Sequence, residues 1–156
     1  MLLLCALALL SGCGGRRLTV KINIVNAANA NNPIAVDLVQ VADKDLAKEI
    51  GKLTAADWFQ KKEQYLLDYP KPGELEVVDS REWIPGQSVS PITIPAPGSL
   101  PIAIPVKIPV VAPKAPTMFV FANYFTPGPH RANLLPNKIT TIQLGVDDLK
   151  VVVEKK

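Results

Sequence analysis

The sequence contains little of the chemistry that metal centres and most hydrolytic active sites require. Its 156 residues include one histidine, His130, and two cysteines, Cys5 and Cys13. No His or Cys cluster has zinc-site spacing, and neither a Gly-x-Ser-x-Gly elbow nor a phosphate-cradling glycine loop occurs. A catalytic site would have to join His130 to a distant carboxylate and serine. We therefore predict no metal, no other cofactor and no enzyme, but a binding or structural protein.

Strong charge is also missing. The 17 basic and 14 acidic residues give a net charge of +3, without a run of five like charges. This argues against nucleic acid as a partner, because such binders carry a concentrated basic patch. The apolar share of 48% indicates a globular chain, and its unusual feature is fifteen prolines against 9 glycines.

A short apolar run, Leu2–Leu10, opens the chain and is followed by Ser11, Gly12 and Cys13. A membrane span needs roughly 20 apolar residues, so this run fits the apolar part of a secretory signal peptide instead. Leu, two small residues and a cysteine are typical of a bacterial lipobox, where a peptidase cuts before the cysteine. The alternative is a buried strand or helix with an incidental cysteine, but processing segments occur at this position.

On this interpretation residues 1–12 are a lipoprotein signal peptide, and Cys13 carries acyl chains on its sulfur and its new amino group. Residues 13–17 form a flexible tether, and Gly14 is the kind of residue that the bacterial sorting rule associates with the outer membrane. No second long apolar segment occurs. The lipid is therefore the expected attachment to the bilayer, and the mature chain has no thiol left to pair.

Residues 18–156 are predicted to form one β-sandwich domain. Apolar residues alternate in 18–24 and again in 34–41, which indicates two half-buried strands joined by a polar loop. Further strands are predicted around residues 75–77, 89–94, 117–125, 139–144 and 149–153. Residues 117–125 are apolar on both faces, with Phe119, Phe121 and Phe125 on one, and belong in the middle of a sheet. His130 and Arg131 are expected on a loop surface.

The period changes to that of a helix within residues 43–69. Leu46 and Ile50 recur at helical spacing, and Thr54 with Asp57 offers a second start through a capping box. Trp58 and Tyr65 belong to an aromatic face that we assign to the core rather than to a ligand site. Lys62 interrupts this face and is expected to extend its ammonium outward to solvent.

A proline-rich ribbon, about residues 91–116, has proline at every fourth position from 97 to 113 with aliphatic residues between. Regular proline excludes a helix or a central strand. The ribbon is expected to lie against this domain's own sheet or against a partner protein. The sum is seven or eight short strands with a helical insertion, in an immunoglobulin-like or transthyretin-like β-sandwich.

The order of these features resembles the TssJ lipoproteins of type VI secretion systems. The resemblance lies in the lipobox, the strand–loop–strand start, and the segments 56–59 (Ala-Asp-Trp-Phe), 85–87 (Pro-Gly-Gln) and 119–125. It implies a transthyretin-like sandwich anchored in the outer membrane and facing the periplasm. The implied partner is the periplasmic part of a TssM-like inner-membrane protein, contacted by the loop after the first strand. By position that loop comprises Ala27, Ala28, Asn29, Ala30, Asn31 and Asn32.

The resemblance favours a structural docking component of a secretion complex. The alternative is a periplasmic lipoprotein that binds a small molecule, glycan or peptide and is unrelated to secretion, with the proline ribbon as part of its groove.

Overall fold

The computed structural model describes residues 18–94, 116–135 and 138–154. Cys13, the tether 13–17 and prolines 97–113 lie outside these residues, so lipidation and the ribbon remain predictions. Within the described part of the chain, no helix has the length and apolar character needed to cross a membrane.

Eight strands and two helices make up the described residues. In chain order they are β1 (Leu18–Ile24), β2 (Ile34–Val41), α1 (Lys44–Ile50), α2 (Ala55–Asp68), β3 (Leu75–Trp83), β4 (Ile92–Ile94), β5 (Thr117–Asn123), β6 (Arg131–Leu134), β7 (Ile139–Leu144) and β8 (Leu149–Val153). The strands form two four-stranded sheets, ordered β4-β1-β7-β8 and β3-β2-β5-β6. β1 and β7 are parallel, and the other pairs are antiparallel. The predicted sandwich is confirmed.

Alternation of side chains places one apolar face of each sheet inside the sandwich. Val20 and Ile142 from one sheet, and Val36 and Val120 from the other, belong to the same buried cluster. Burying the apolar sides of both sheets removes their side chains from water, which is the main favourable term in folding.

The second sheet is buried on its outer face as well, because the two helices cover it. Trp58 of α2 stacks on Phe121 of β5 with ring centroids 5.1 Å apart, and Phe119 joins the same cluster. β5 therefore lies in the interior of its sheet with both faces covered, as its composition predicts. The prediction for Phe125 was wrong, because β5 ends at Asn123 and the Phe125 side chain is exposed.

Both helices begin at the residues that the sequence pattern indicates. Asp43 caps α1 by accepting hydrogen bonds from the backbone N–H groups of Asp45 and Leu46. Thr54 and Asp57 form the reciprocal capping box of α2, which satisfies donors that the first turn leaves free. The hydrogen bond from the Thr54 hydroxyl holds the pKa of Asp57 below its usual value.

The prediction that Lys62 points to solvent was wrong. Its Nζ lies 2.9 Å from Oδ2 of Asp37, a fully buried residue of β2, and the Lys62 side chain is only 22% exposed. The Asp37 carboxylate also accepts hydrogen bonds from Trp58 Nε1 at 2.9 Å and Ser80 Oγ at 2.6 Å. Lys62 turns inward because an unpaired carboxylate at this depth would be very costly.

β3 ends directly before a turn, and β6 begins directly after the segment 124–130. Trp83 is the last residue of β3, and the turn starts one residue later, with Gln87 N donating to Ile84 O and Gly86 at φ +73°. That geometry and the order Pro-Gly are those of a type II turn. Arg131 opens the edge strand β6, so its assignment to a loop surface was also wrong.

Candidate docking surface at the loop end of the sandwich

The loop between β1 and β2 crosses from one sheet to the other at one end of the sandwich. β1 and β7 finish together there, with Ile24 opposite Leu144, and β5 finishes beside the start of β2. Leu18 lies at the opposite end of β1. We call the end that carries residues 25–33, 84–87, 124–130 and 145–148 the loop end.

The conformation of the β1–β2 loop depends on Asn29. Asn29, Ala30 and Asn31 have φ values of +48°, +52° and +64°, three consecutive residues in the left-handed region. The Asn29 side chain is 1% exposed, donates from Nδ2 to the Pro33 carbonyl at 2.9 Å and accepts at Oδ1 from the backbone N–H of Phe125 at 2.8 Å. Its own backbone N–H donates to the Val146 carbonyl at 2.9 Å. Asn29 thus links the loop to two other segments, through its side chain to Phe125 and through its backbone to Val146.

The six loop residues for which the resemblance implies contact with the partner therefore differ in their exposure. Ala28 and Asn29 are buried and cannot contact a partner in this conformation. Ala27, Ala30 and Asn31 are exposed. Asn32 is half-buried and holds the turn through its side-chain amide, which donates to the Asn29 and Ala30 carbonyls at 3.1 Å. Ala27, Ala30 and Asn31 are therefore the exposed part of the loop, and the buried residues Ala28 and Asn29 hold it in place.

Replacing Asn29 by alanine is expected to lower the free energy of unfolding by about 2 kcal/mol, because the Phe125 N–H and Pro33 carbonyl lose a buried partner. Ala30→Gly, at the adjacent exposed position, is expected to have the opposite sign. A left-handed backbone costs a residue other than glycine about 1–2 kcal/mol, which glycine avoids. The extra backbone entropy that glycine loses on folding costs only about 0.5–1 kcal/mol, so the net change is stabilising. Urea unfolding of both variants checks this; equal destabilisation would contradict the role of Asn29.

Two neighbouring segments contact this loop. In the turn 84–87, Gly86 packs so close to Asn26 that an added Cβ would lie 2.6 Å from its Oδ1. In the β7–β8 connection, the Val146 carbonyl accepts the hydrogen bond from Asn29, and the neighbouring Gly145 carbonyl accepts one from Tyr124 Oη at 3.2 Å. Burial raises the pKa of the Tyr124 phenol, which therefore stays a neutral donor. The turn cannot accept a side chain at Gly86 without moving the loop.

His130 is a buried structural residue, contrary to the prediction that it lies on a loop surface. It is 4% exposed, and its ring stacks on Tyr124 at 4.9 Å. Nδ1 lies 2.9 Å from Asp148 Oδ1, and Nε2 lies 2.6 Å from the Thr126 carbonyl oxygen. Both ring nitrogens face acceptors, so the ring joins the 124–130 segment to the β7–β8 connection.

This arrangement brings a histidine, a carboxylate and a hydroxyl together without the geometry of a nucleophilic triad. Thr126 Oγ1 is 3.5 Å from His130 Nε2, but the hydroxyl donates to the Asp147 carbonyl at 2.7 Å. Nε2 is already engaged by the Thr126 carbonyl. A general base needs a free lone pair within reach of the proton it removes. The cluster therefore fixes the loop end.

Each segment of the loop end carries an exposed large apolar side chain. Phe125 is 75% exposed, Ile84 62%, Val146 48% and Val25 39%. Such residues are costly to leave in water and supply the apolar contacts of protein interfaces. The sequence pattern did not indicate this set, since it placed Phe125 on a strand face. Asn123 and Pro127, two poor strand formers on either side, were the available indication.

The described residues contain no group of three or more His, Cys, Asp or Glu placed to hold a metal ion. The loop end exposes the small residues Ala27, Ala30 and Asn31 with four large apolar side chains beside them. Such a surface is suited to contact another protein.

A sandwich of two four-stranded sheets with two helices over one of them is the fold of the TssJ-type lipoproteins of type VI secretion, as the resemblance implied. The T6SS lipoprotein TssJ1 from Pseudomonas aeruginosa superposes with a TM-score of 0.60 at 14% identity, covering 91% of this chain and 98% of that one. Serratia marcescens Lip, a membrane-bound component of the type VI secretion system, gives 0.55 at 17% identity, covering 91% and 99%. No family model and no curated protein matches the sequence.

Proposed function

We propose that this chain is a docking component of a type VI secretion membrane complex, held in the outer membrane by acylated Cys13 and facing the periplasm. The observation that carries the proposal is a fold shared with two such lipoproteins over nearly the whole of each chain. No catalytic step is part of it.

The arrangement of the two ends supports this role. Residues 13–17 can hold Leu18 at most about 17 Å from an acylated Cys13, at about 3.5 Å per residue. Leu18 starts β1, and the loop end lies where β1 finishes. A domain attached through Cys13 can therefore present its loop end on the side away from the bilayer.

The proposed partner is the periplasmic part of a TssM-like inner-membrane protein. The contact surface consists of the exposed loop residues Ala27, Ala30 and Asn31 together with the apolar side chains beside them. Phe125 is the proposed anchor, because it is the most exposed of the four and its backbone is fixed by Asn29. A fixed backbone reduces the entropy lost on binding.

Changing Cys13 to serine is expected to release the protein from the membrane, because the acyl chains are the proposed attachment. Lipidation contributes about 0.8 kcal/mol per buried methylene, and stable anchoring needs more than one chain. The measurement is the distribution between membrane and soluble fractions in the native host, with the intact mass of the parent protein. The variant should be folded, soluble and absent from purified secretion complexes. An uncleaved, unmodified N-terminus in the parent would contradict the anchor.

A further inference from the structure

A groove of about 500 Å³ lies between α1 and the edge strand β6, on the helix-covered side of the second sheet. Lys44, Lys48 and Lys52 line it from α1 and the residues that follow it. Thr117, Arg131 and Asn133 line it from β5 and β6, and the Phe119 ring lies between the two sides. The groove is separate from the loop-end surface.

The polar lining of this groove carries four cationic side chains, and no lining residue is acidic. Lys48 is paired with Asp45 at 2.7 Å, but Lys44, Lys52 and Arg131 form no salt bridge within the described residues. All 14 acidic residues of the chain fall within the described ranges. The remaining segments therefore contain no Asp or Glu that could neutralise the groove.

Arg131 gives a second, independent indication. Its Nε is buried and has no hydrogen-bond acceptor among the described residues. A buried donor without a partner is costly, and most such groups in folded proteins are satisfied. An anion in the groove would bring an acceptor to the side of the sheet where this guanidinium lies.

We propose that the groove binds a phosphate monoester carried on a body of about sugar size. A phosphate monoester bears nearly two negative charges and three strong acceptor oxygens. These match three unpaired cations, the Thr117 hydroxyl and the Asn133 amide, and a guanidinium can bind phosphate through two parallel hydrogen bonds. The volume exceeds that of a lone ion, which leaves room for a neutral ring against Phe119. The phosphate can belong to a free sugar phosphate or to the headgroup of a membrane lipid.

The test uses the mature chain, residues 13–156, with Cys13→Ser, so that neither the apolar signal segment nor an acyl anchor can bind the vesicles. Glucose 1-phosphate is titrated by calorimetry, with glucose, which lacks the phosphate, as the control. Flotation with phosphatidylcholine vesicles, with and without phosphatidic acid, tests whether the bound phosphate can belong to a lipid headgroup. The groove variant is Lys44→Gln/Lys52→Gln. The matched control is Lys71→Gln/Lys150→Gln, two exposed lysines outside the groove with the same change in net charge.

We expect the groove variant to lose about thirtyfold in affinity, since each lysine near an anionic surface contributes about a factor of five. The control variant should bind like the parent. Binding in the calorimeter alone identifies a soluble ligand, binding to vesicles alone identifies a lipid, and either supports the site. No binding in both arms, or an equal loss in both double variants, overturns it. The loop end is untouched in every variant, so this result is separable from partner docking.

Discussion

Replacing Asp37 by alanine is expected to lower the free energy of unfolding by about 3–5 kcal/mol. The substitution removes one acceptor and leaves three donors without it: the indole N–H of Trp58, the ammonium of Lys62 and the hydroxyl of Ser80. Most of the lost stability is expected to come from Lys62, because its charge stays largely shielded from water after its partner is lost.

Thermal unfolding followed by circular dichroism measures this effect. For a domain of this size, each kcal/mol shifts Tm by about 2–4 °C, so the expected fall is on the order of 10 °C. Asp45→Ala is the matched control, because Asp45 pairs with Lys48 in solvent, where an ion pair contributes little to stability. If the two variants lost similar stability, the buried network would not hold α2 on the sheet.

Replacing Phe125 by alanine is expected to weaken partner binding about thirtyfold without unfolding the protein. Fully burying a phenylalanine side chain is worth about 1.5–3 kcal/mol, and each 1.4 kcal/mol is a factor of ten in Kd. Stability should hold, because the side chain is 75% exposed and the hydrogen bond to Asn29 comes from the backbone.

Leu67→Ala is the control for this prediction. Leu67 is 74% exposed on α2, away from the loop end, so it loses a side chain of the same exposure and similar size. Binding of each purified variant to the periplasmic part of the inner-membrane protein can be measured by biolayer interferometry. Equal effects of the two substitutions on binding would contradict the placement of Phe125 in the interface.

Local patterns predicted the elements of this fold because their causes are local. Alternation in 18–24 reflects a strand with one buried face, and the Thr54 capping box fixes the start of α2 within four residues. The double-sided apolar character of β5 correctly implied covering layers on both faces.

The errors concern contacts between residues far apart in sequence. Lys62 and Asp37 are 25 positions apart and meet only because α2 packs across β2. His130 and Asp148 are 18 positions apart, and their contact turns a loop residue into a buried one. The left-handed turn at Asn29 depends on Phe125, 96 positions later. No pattern within a short window contains these pairs.

The proposed role requires the loop end to meet a partner while Cys13 holds the opposite end at the membrane. It is tested most directly by placing a photo-crosslinking residue at position 125 or, as control, at position 67 in the native host. We expect a crosslink from 125 to a large inner-membrane secretion protein, with none from 67. A crosslink from 67 alone, or from neither position while the complex assembles normally, would contradict it.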